Sequence, residues 1–213
     1  MHIPDAFIPI DQAAIYWIIA LIFLALSIKW ARTEINEDKI PMIGVLAAGI
    51  FALQSFNLPI AMGTSGHLVG GALAAIVLGS PFAAVFILTL VLIIQGFIFG
   101  DGGITTMGAN IINMGVIGGF VGFYSFQGFK KIIKNPFLSA GIAAWLACLI
   151  PALACAVEMA IAGTFPLGPG LVAMGIYHAI IGVIEGIVTA VVIYLLVMAR
   201  PDLVDSSAGG IPA

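Results

Sequence analysis

The chain has 213 residues, of which 62% are hydrophobic and only 8% charged, with a formal net charge of −3. That balance excludes a soluble globular domain and a basic nucleic-acid binder, and it marks an integral membrane protein.

The first element, residues 1–11, reads as a metal-chelating segment. It opens Met1-His2-Ile3-Pro4-Asp5, which sets an α-amine beside one of only three histidines. The Met1 amine, the ionised amide nitrogen of His2 and His2 Nδ1 can close a five-membered ring fused to a six-membered one around a single ion. Such a plane of nitrogens suits a square-planar divalent ion, nickel or copper, which stabilises a deprotonated amide where magnesium or calcium does not. The bland alternative is a merely polar start to the chain. No basic n-region and cleavage site precede the first apolar run, so Met1 is expected as the mature terminus.

Membrane spans need about 20 mostly apolar residues, and the apolar runs place them near 12–31, 40–56, 67–79, 82–99, 107–127, 136–162 and 171–199. The run at 67–79 is short, which leaves six or seven by hydropathy, and charge selects seven. Lys29, Arg32 and Lys39 follow the first span, Lys130, Lys131 and Lys134 the fifth, and Arg200 the last. With seven spans, the N-terminus outside and the C-terminus cytoplasmic, every basic residue is cytoplasmic, as the positive-inside rule asks. The fold class expected is therefore an all-α bundle forming one transmembrane domain over 1–213.

That topology gathers the polar residues at the outer end: His2, Gln54, Asn57, Ser65, His67, Gln95, Asp101, Thr105, Thr106, Asn110, Glu158 and His178. Ionisable groups near membrane depth face a cavity or a partner, which singles out Glu158, His178 and the deeper Glu185, with a satisfied interhelical contact as the alternative for each. The outer loops, 57–67, 100–103 and 163–170, are rich in glycine and proline and suited to form a lid. The first of them, through Gly63-Thr64-Ser65-Gly66, delivers His67 at the start of a half-length helix, as the fourth donor. Irregular backbone at that depth is tolerated where it lines a cavity.

Small residues recur every four positions at Gly44, Ala48 and Ala52, at Gly70 and Ala74, and at Gly118 and Gly122, which lets helices approach closely. Cys148 and Cys155 stand seven apart on one helix, roughly 10 Å, too far for a disulfide. Pro151 between them should bend that helix.

Met1-His2-Ile3-Pro4-Asp5, the run from Gly63 to Leu73, Phe99-Gly100-Asp101-Gly102-Gly103-Ile104-Thr105 and Tyr177-His178-Ala179-Ile180-Ile181-Gly182 resemble, in order, the motifs of the NikM/CbiM group. These are the nickel- or cobalt-specific substrate-binding (S) components of energy-coupling factor (ECF) transporters. The resemblance runs through essentially the whole chain. It implies seven helices in a prokaryotic cell membrane, Met1 and His2 deep in an outward pocket, and His67 completing the metal site. Ser65, Asp101, Asn110, Glu158 and His178 would belong to or support the pocket. Ala6 departs from the pattern, which has glycine there, and a turn needing positive φ would be strained by it.

The resemblance also implies partners. No G-x-x-x-x-G-K-[ST] loop is present, so ATP hydrolysis would fall to cytoplasmic ATPase subunits, acting through a transmembrane coupling (T) component and in some systems a small additional membrane subunit. The cargo would be Ni(II) or Co(II), with no organic cofactor. Square-planar nitrogen and Pro4 favour nickel, and neither decides it. Two rivals remain: a rhomboid-like intramembrane protease with Ser65 as nucleophile and His178 as base, and a passive metal channel needing no ATPase.

Overall fold

The computed structural model describes residues 1–60 and 65–203. Gly63 and Thr64 of the first outer loop lie outside the described residues. Helices run α1 Ile10–Glu34, α2 Ile40–Gln54, α3 Gly71–Val77, α4 Pro81–Phe99, α5 Met107–Ile133, α6 Pro136–Ile161 and α7 Leu167–Ala199. All except α2 and α3 are long and apolar enough to cross a membrane. The chain is a multi-pass membrane protein.

Local chemistry sets the boundaries. Ser80 and Asn135 cap α4 and α6 through their side-chain oxygens, and each helix then opens on proline, whose missing N–H costs nothing there. Positive φ ends α5 at Lys134, after Lys130 and Lys131 at the carbonyl end of the helix. Pro151 lies inside α6.

The segment expected as a helix over 67–79 is helical only at Gly71–Val77. Seven residues rise roughly 10 Å, a third of a bilayer core, so α3 is a buried half-helix reached through an irregular arm. The arm begins where Ser65–Gly66 pairs antiparallel with Leu58–Pro59. All seven residues of α3 are buried, as a peg between α4, α5 and α6.

The longest pairing is α6 against α7. Gly141 and Gly186 bring their backbones together, since a Cβ on Gly186 would stand 2.7 Å from Gly141 O. Ala140, Ala143, Ala144 and Ala147 are fully buried along α6. Packing here rests on closeness rather than bulk, the currency of helix association where lipid is as apolar as the side chains. Ile15, Ile18, Leu21 and Ile22 of α1 and Ile180, Ile184 and Ile187 of α7 point outward.

Two wide π-helical turns interrupt the bundle, at Gln95–Phe99 in α4 and Ile111–Ile117 in α5. Such turns re-aim side chains and concentrate at functional sites. Here they contain the buried Gln95 and Asn113 and adjoin the buried Asn110.

Candidate metal centre

Residues 1–9 turn back into one end of the bundle, leaving Met1 and Ile3 each 2% exposed and His2 9%. A buried strand end with no sheet around it must find partners for its backbone, and it finds them on three elements. Met1 N donates to Ser65 O at 2.5 Å. Ile3 N donates to Asn110 Oδ1 at 2.9 Å, and Ile3 O accepts from Gly103 N, Thr106 Oγ1 and Asn110 Nδ2. Asp5 closes the hook by accepting from Thr105 N, Thr105 Oγ1 and Ile104 N. The Thr105 hydroxyl and these backbone amides hold the Asp5 carboxyl below its usual value. Ala6 turns the chain at φ 69°, the left-handed conformation that the departure from glycine makes costly.

The two imidazoles of this end meet face to face. His2 and His67 stack with ring centroids 4.3 Å apart and planes inclined by 19°. Each ring has one nitrogen engaged and one left over. His2 Nε2 lies 3.2 Å from Gln95 Oε1, which assigns the proton to Nε2 and leaves a lone pair on Nδ1. His67 Nδ1 donates to Leu68 O at 2.8 Å, which leaves a lone pair on Nε2. Both leftover nitrogens are buried without a hydrogen-bond partner.

Asp101 sharpens the point. Its Oδ1 stands 3.3 Å from His2 Nδ1, yet no hydrogen bond forms. With the ring proton on Nε2, a lone pair faces a carboxylate, an arrangement that a cation relieves. The Met1 amine is the third nitrogen. Burial lowers its pKa from 8.0 to about 6, so at neutral pH it is an uncharged donor. Burial, reinforced by the nearby N-terminal ammonium, lowers that of His2 to about 4. Beside these groups opens a cavity of about 110 Å³ lined by Met1, His2, Phe7, Ser65, Cys155 and Met174, among others.

The remaining residues singled out in the sequence fall in three groups. Ser65 and Asp101 meet Met1 and His2 directly, and Asn110 binds the adjoining Ile3. His178 is fully buried against Gly66, its Nδ1 on Met174 O at 2.9 Å and its Nε2 unpartnered. With neither nitrogen bonded to Ser65, the two do not form a nucleophile–base pair. Glu158 stands apart, accepting from Asn113 Nδ2 at 2.6 Å, while its carbonyl accepts from Gln12. It ties α1, α5 and α6 together. Cys148 and Cys155 are free and buried.

Sequence reasoning noticed Gln95 and Thr106 only as outward polar groups, and it gave Asp5 no function beyond its motif. A polar residue about one turn from the end of an apolar helix, as Gln95 is, was the available signal.

The model of the family "cobalt uptake substrate-specific transmembrane region" matches residues 2–203. A protein of Haloquadratum walsbyi, provisionally named a metal transport protein, is 40% identical over 96% of this chain and 93% of its own length. A provisionally named fused nickel transport protein, NikMN, of Archaeoglobus fulgidus is 39% identical over 98% of this chain and 69% of its own. The crystal structure of a truncated transition metal transporter superposes with a TM-score of 0.88 at 31% identity, covering 93% of this chain and 99% of that one. The chain therefore belongs to the cobalt uptake substrate-specific transmembrane region family of metal-transport membrane components.

Proposed function

We propose that this chain captures Ni(II) from outside the cell as the substrate-binding component of an ECF-type importer. The ion is held by the Met1 amine, the deprotonated His2 amide, His2 Nδ1 and His67 Nε2. The observation that carries this reading is the pair of buried imidazole nitrogens, His2 Nδ1 and His67 Nε2, left without partners beside an amine that burial keeps neutral. Stacked rings direct their in-plane lone pairs side by side rather than at one point, so one ring turns as the ion enters.

Nickel is preferred over cobalt because four nitrogens in a plane, one of them an amide, suit the smaller square-planar ion. The relatives' names divide between the two metals. Cobalt specificity on the same ligands is the second reading.

The N-terminus lies outside and the C-terminus inside, in a prokaryotic cell membrane. All seven basic residues stand at helix ends remote from the histidines, which supports that orientation. ATP is hydrolysed by cytoplasmic partner subunits and coupled through a transmembrane partner. The surface offered to the coupling partner is the α2 stripe Gly44, Ala48 and Ala52. All three are exposed, and nothing lies within 4 Å of a Cβ built on Gly44. Ala48→Leu should block assembly and spare metal binding; unchanged assembly would refute the docking face.

Calorimetric titration of nickel and cobalt into protein with its native N-terminus, beside protein carrying one extra residue before Met1, tests the chelate. Loss of tight binding on extension supports it. Equal binding by both proteins overturns it.

A further inference from the structure

Glu185 lies in the middle of α7, 2% exposed, and it reaches across to the root of the arm that carries His67. Its Oε2 accepts from Val69 N at 2.7 Å and its Oε1 from Gly70 N at 2.8 Å. A helix start needs such acceptors, and α3 has no side-chain cap of its own. It cannot easily have one. Gly70 sits at φ 78°, and a Cβ there would meet Ile50 at 2.8 Å. The two backbone N–H groups just ahead of α3 are held instead by a carboxylate from another helix.

The connection does not stop at the helix end. Val69 N–H and Leu68 C=O belong to one peptide group. Its N–H donates to Glu185 Oε2, and its C=O accepts the proton of His67 Nδ1 at 2.8 Å. One peptide plane thus links the carboxylate to the imidazole, whose far nitrogen, Nε2, is the unpartnered one. Metal-binding histidines commonly donate their second N–H to a carboxylate, which fixes the tautomer and raises basicity. Here the carboxylate acts at one remove, polarising Leu68 O through the peptide between them. Gln54 Nε2 bonds Val69 O at 2.7 Å, so the next peptide group is held as well.

We propose that Glu185 is the positioning residue of the fourth metal donor: through the Leu68–Val69 peptide it fixes the tautomer and aim of His67 and strengthens Nε2 as a ligand. This rests on the chelate reading above, in which His67 is that donor. Glutamine in its place offers one acceptor and one N–H₂ to two backbone N–H groups, so one of them loses its partner.

The test is copper(II) electron paramagnetic resonance on full-length, native-terminus protein in detergent, since copper takes the same square plane and its hyperfine pattern reports the number of nitrogen donors. Wild type should show four nitrogens and ignore added imidazole. Glu185→Gln should show three, regain the fourth with added imidazole as His67→Ala does, and lose about 10- to 100-fold in affinity, as removal of second-sphere partners does. Glu185→Asp keeps a carboxylate and should recover part of the four-nitrogen signal, and Glu185→Leu carries the same test if Glu185→Gln does not fold. Four nitrogens with no imidazole response in Glu185→Gln or Glu185→Leu, whatever their stability, would overturn the proposal. A wild type lacking the four-nitrogen signal would overturn the chelate reading instead.

Discussion

Asn110 grips both polar groups of Ile3, its Oδ1 accepting from Ile3 N at 2.9 Å and its Nδ2 donating to Ile3 O at 3.2 Å. One side-chain amide thus pairs with the residue that follows the chelate, as a neighbouring strand would. Asn110→Leu removes both bonds and leaves the buried Ile3 N unsatisfied, while Ile3 O keeps Gly103 N and Thr106 Oγ1. At about 1 kcal/mol for each bond, nickel affinity should fall roughly 30-fold. Asn110→Asp keeps the acceptor but sets an oxygen against Ile3 O, and should be no better. Calorimetry on the two variants decides it; wild-type affinity in either would show that the hook holds without this grip.

Binding should depend on pH in steps. Ligands must shed their protons, and the buried amine is already neutral above about pH 6, as His2 is above about pH 4. Above pH 6 only the amide proton leaves, so the nickel association constant should rise about tenfold per pH unit; between 6 and 4 the slope should be about twice that. A terminus left at its solution value of 8.0 would show the steeper slope throughout the range from 8 down to 6. The amine also makes folding weaker as pH falls from 8 to 6, because the unfolded chain then binds a proton that the folded chain excludes. Titrations between pH 5 and 8 read the slopes directly.

Gln95 assigns the His2 proton to Nε2 and frees Nδ1. Gln95→Leu removes that preference without touching a donor, and nickel affinity should drop about tenfold. Gln95→Glu retains an acceptor and should bind at least as well as wild type. The ratio of the two dissociation constants is the measurement; equal values would separate Gln95 from the site.

Ala6 holds a left-handed turn at φ 69°. The conformation costs an L-residue on the order of 1–2 kcal/mol, of which glycine recovers part after its own entropy loss. Ala6→Gly should therefore stabilise the protein by up to about 1 kcal/mol. A lower melting temperature in detergent would contradict it.

Asp5 pins the hook to Ile104 and Thr105. Its folded pKa is depressed, so its contribution is present above the unfolded value of 3.8 and is lost as pH falls through the folded one. Asp5→Ala should leave the donors intact and speed nickel release by roughly tenfold, on the scale of a lost charge-assisted bond. Stopped-flow chase with a chelator measures this.

Much of this was legible in the order of residues. Helices α1, α4, α5, α6 and α7 follow from apolar runs long enough for a bilayer, because each satisfies its own backbone hydrogen bonds locally. The Met1–His2 chelate is equally local, fixed by covalent connectivity, and Ala6 announced its strain by standing where its resemblance asks for glycine. Tertiary structure alone decided the rest. Ile3 meets Asn110 across 107 positions, Asp5 meets Thr105 across 100, and Val69 meets Glu185 across 116. Nothing in the neighbourhood of Glu185 says that its carboxylate will hold the Val69 and Gly70 amides ahead of α3 rather than face a lipid or a lysine. Only the close glycine packing of α6 on α7, with the arm's need to satisfy buried amides, brings it there, since a polar group in an apolar bundle takes the partner that folding delivers.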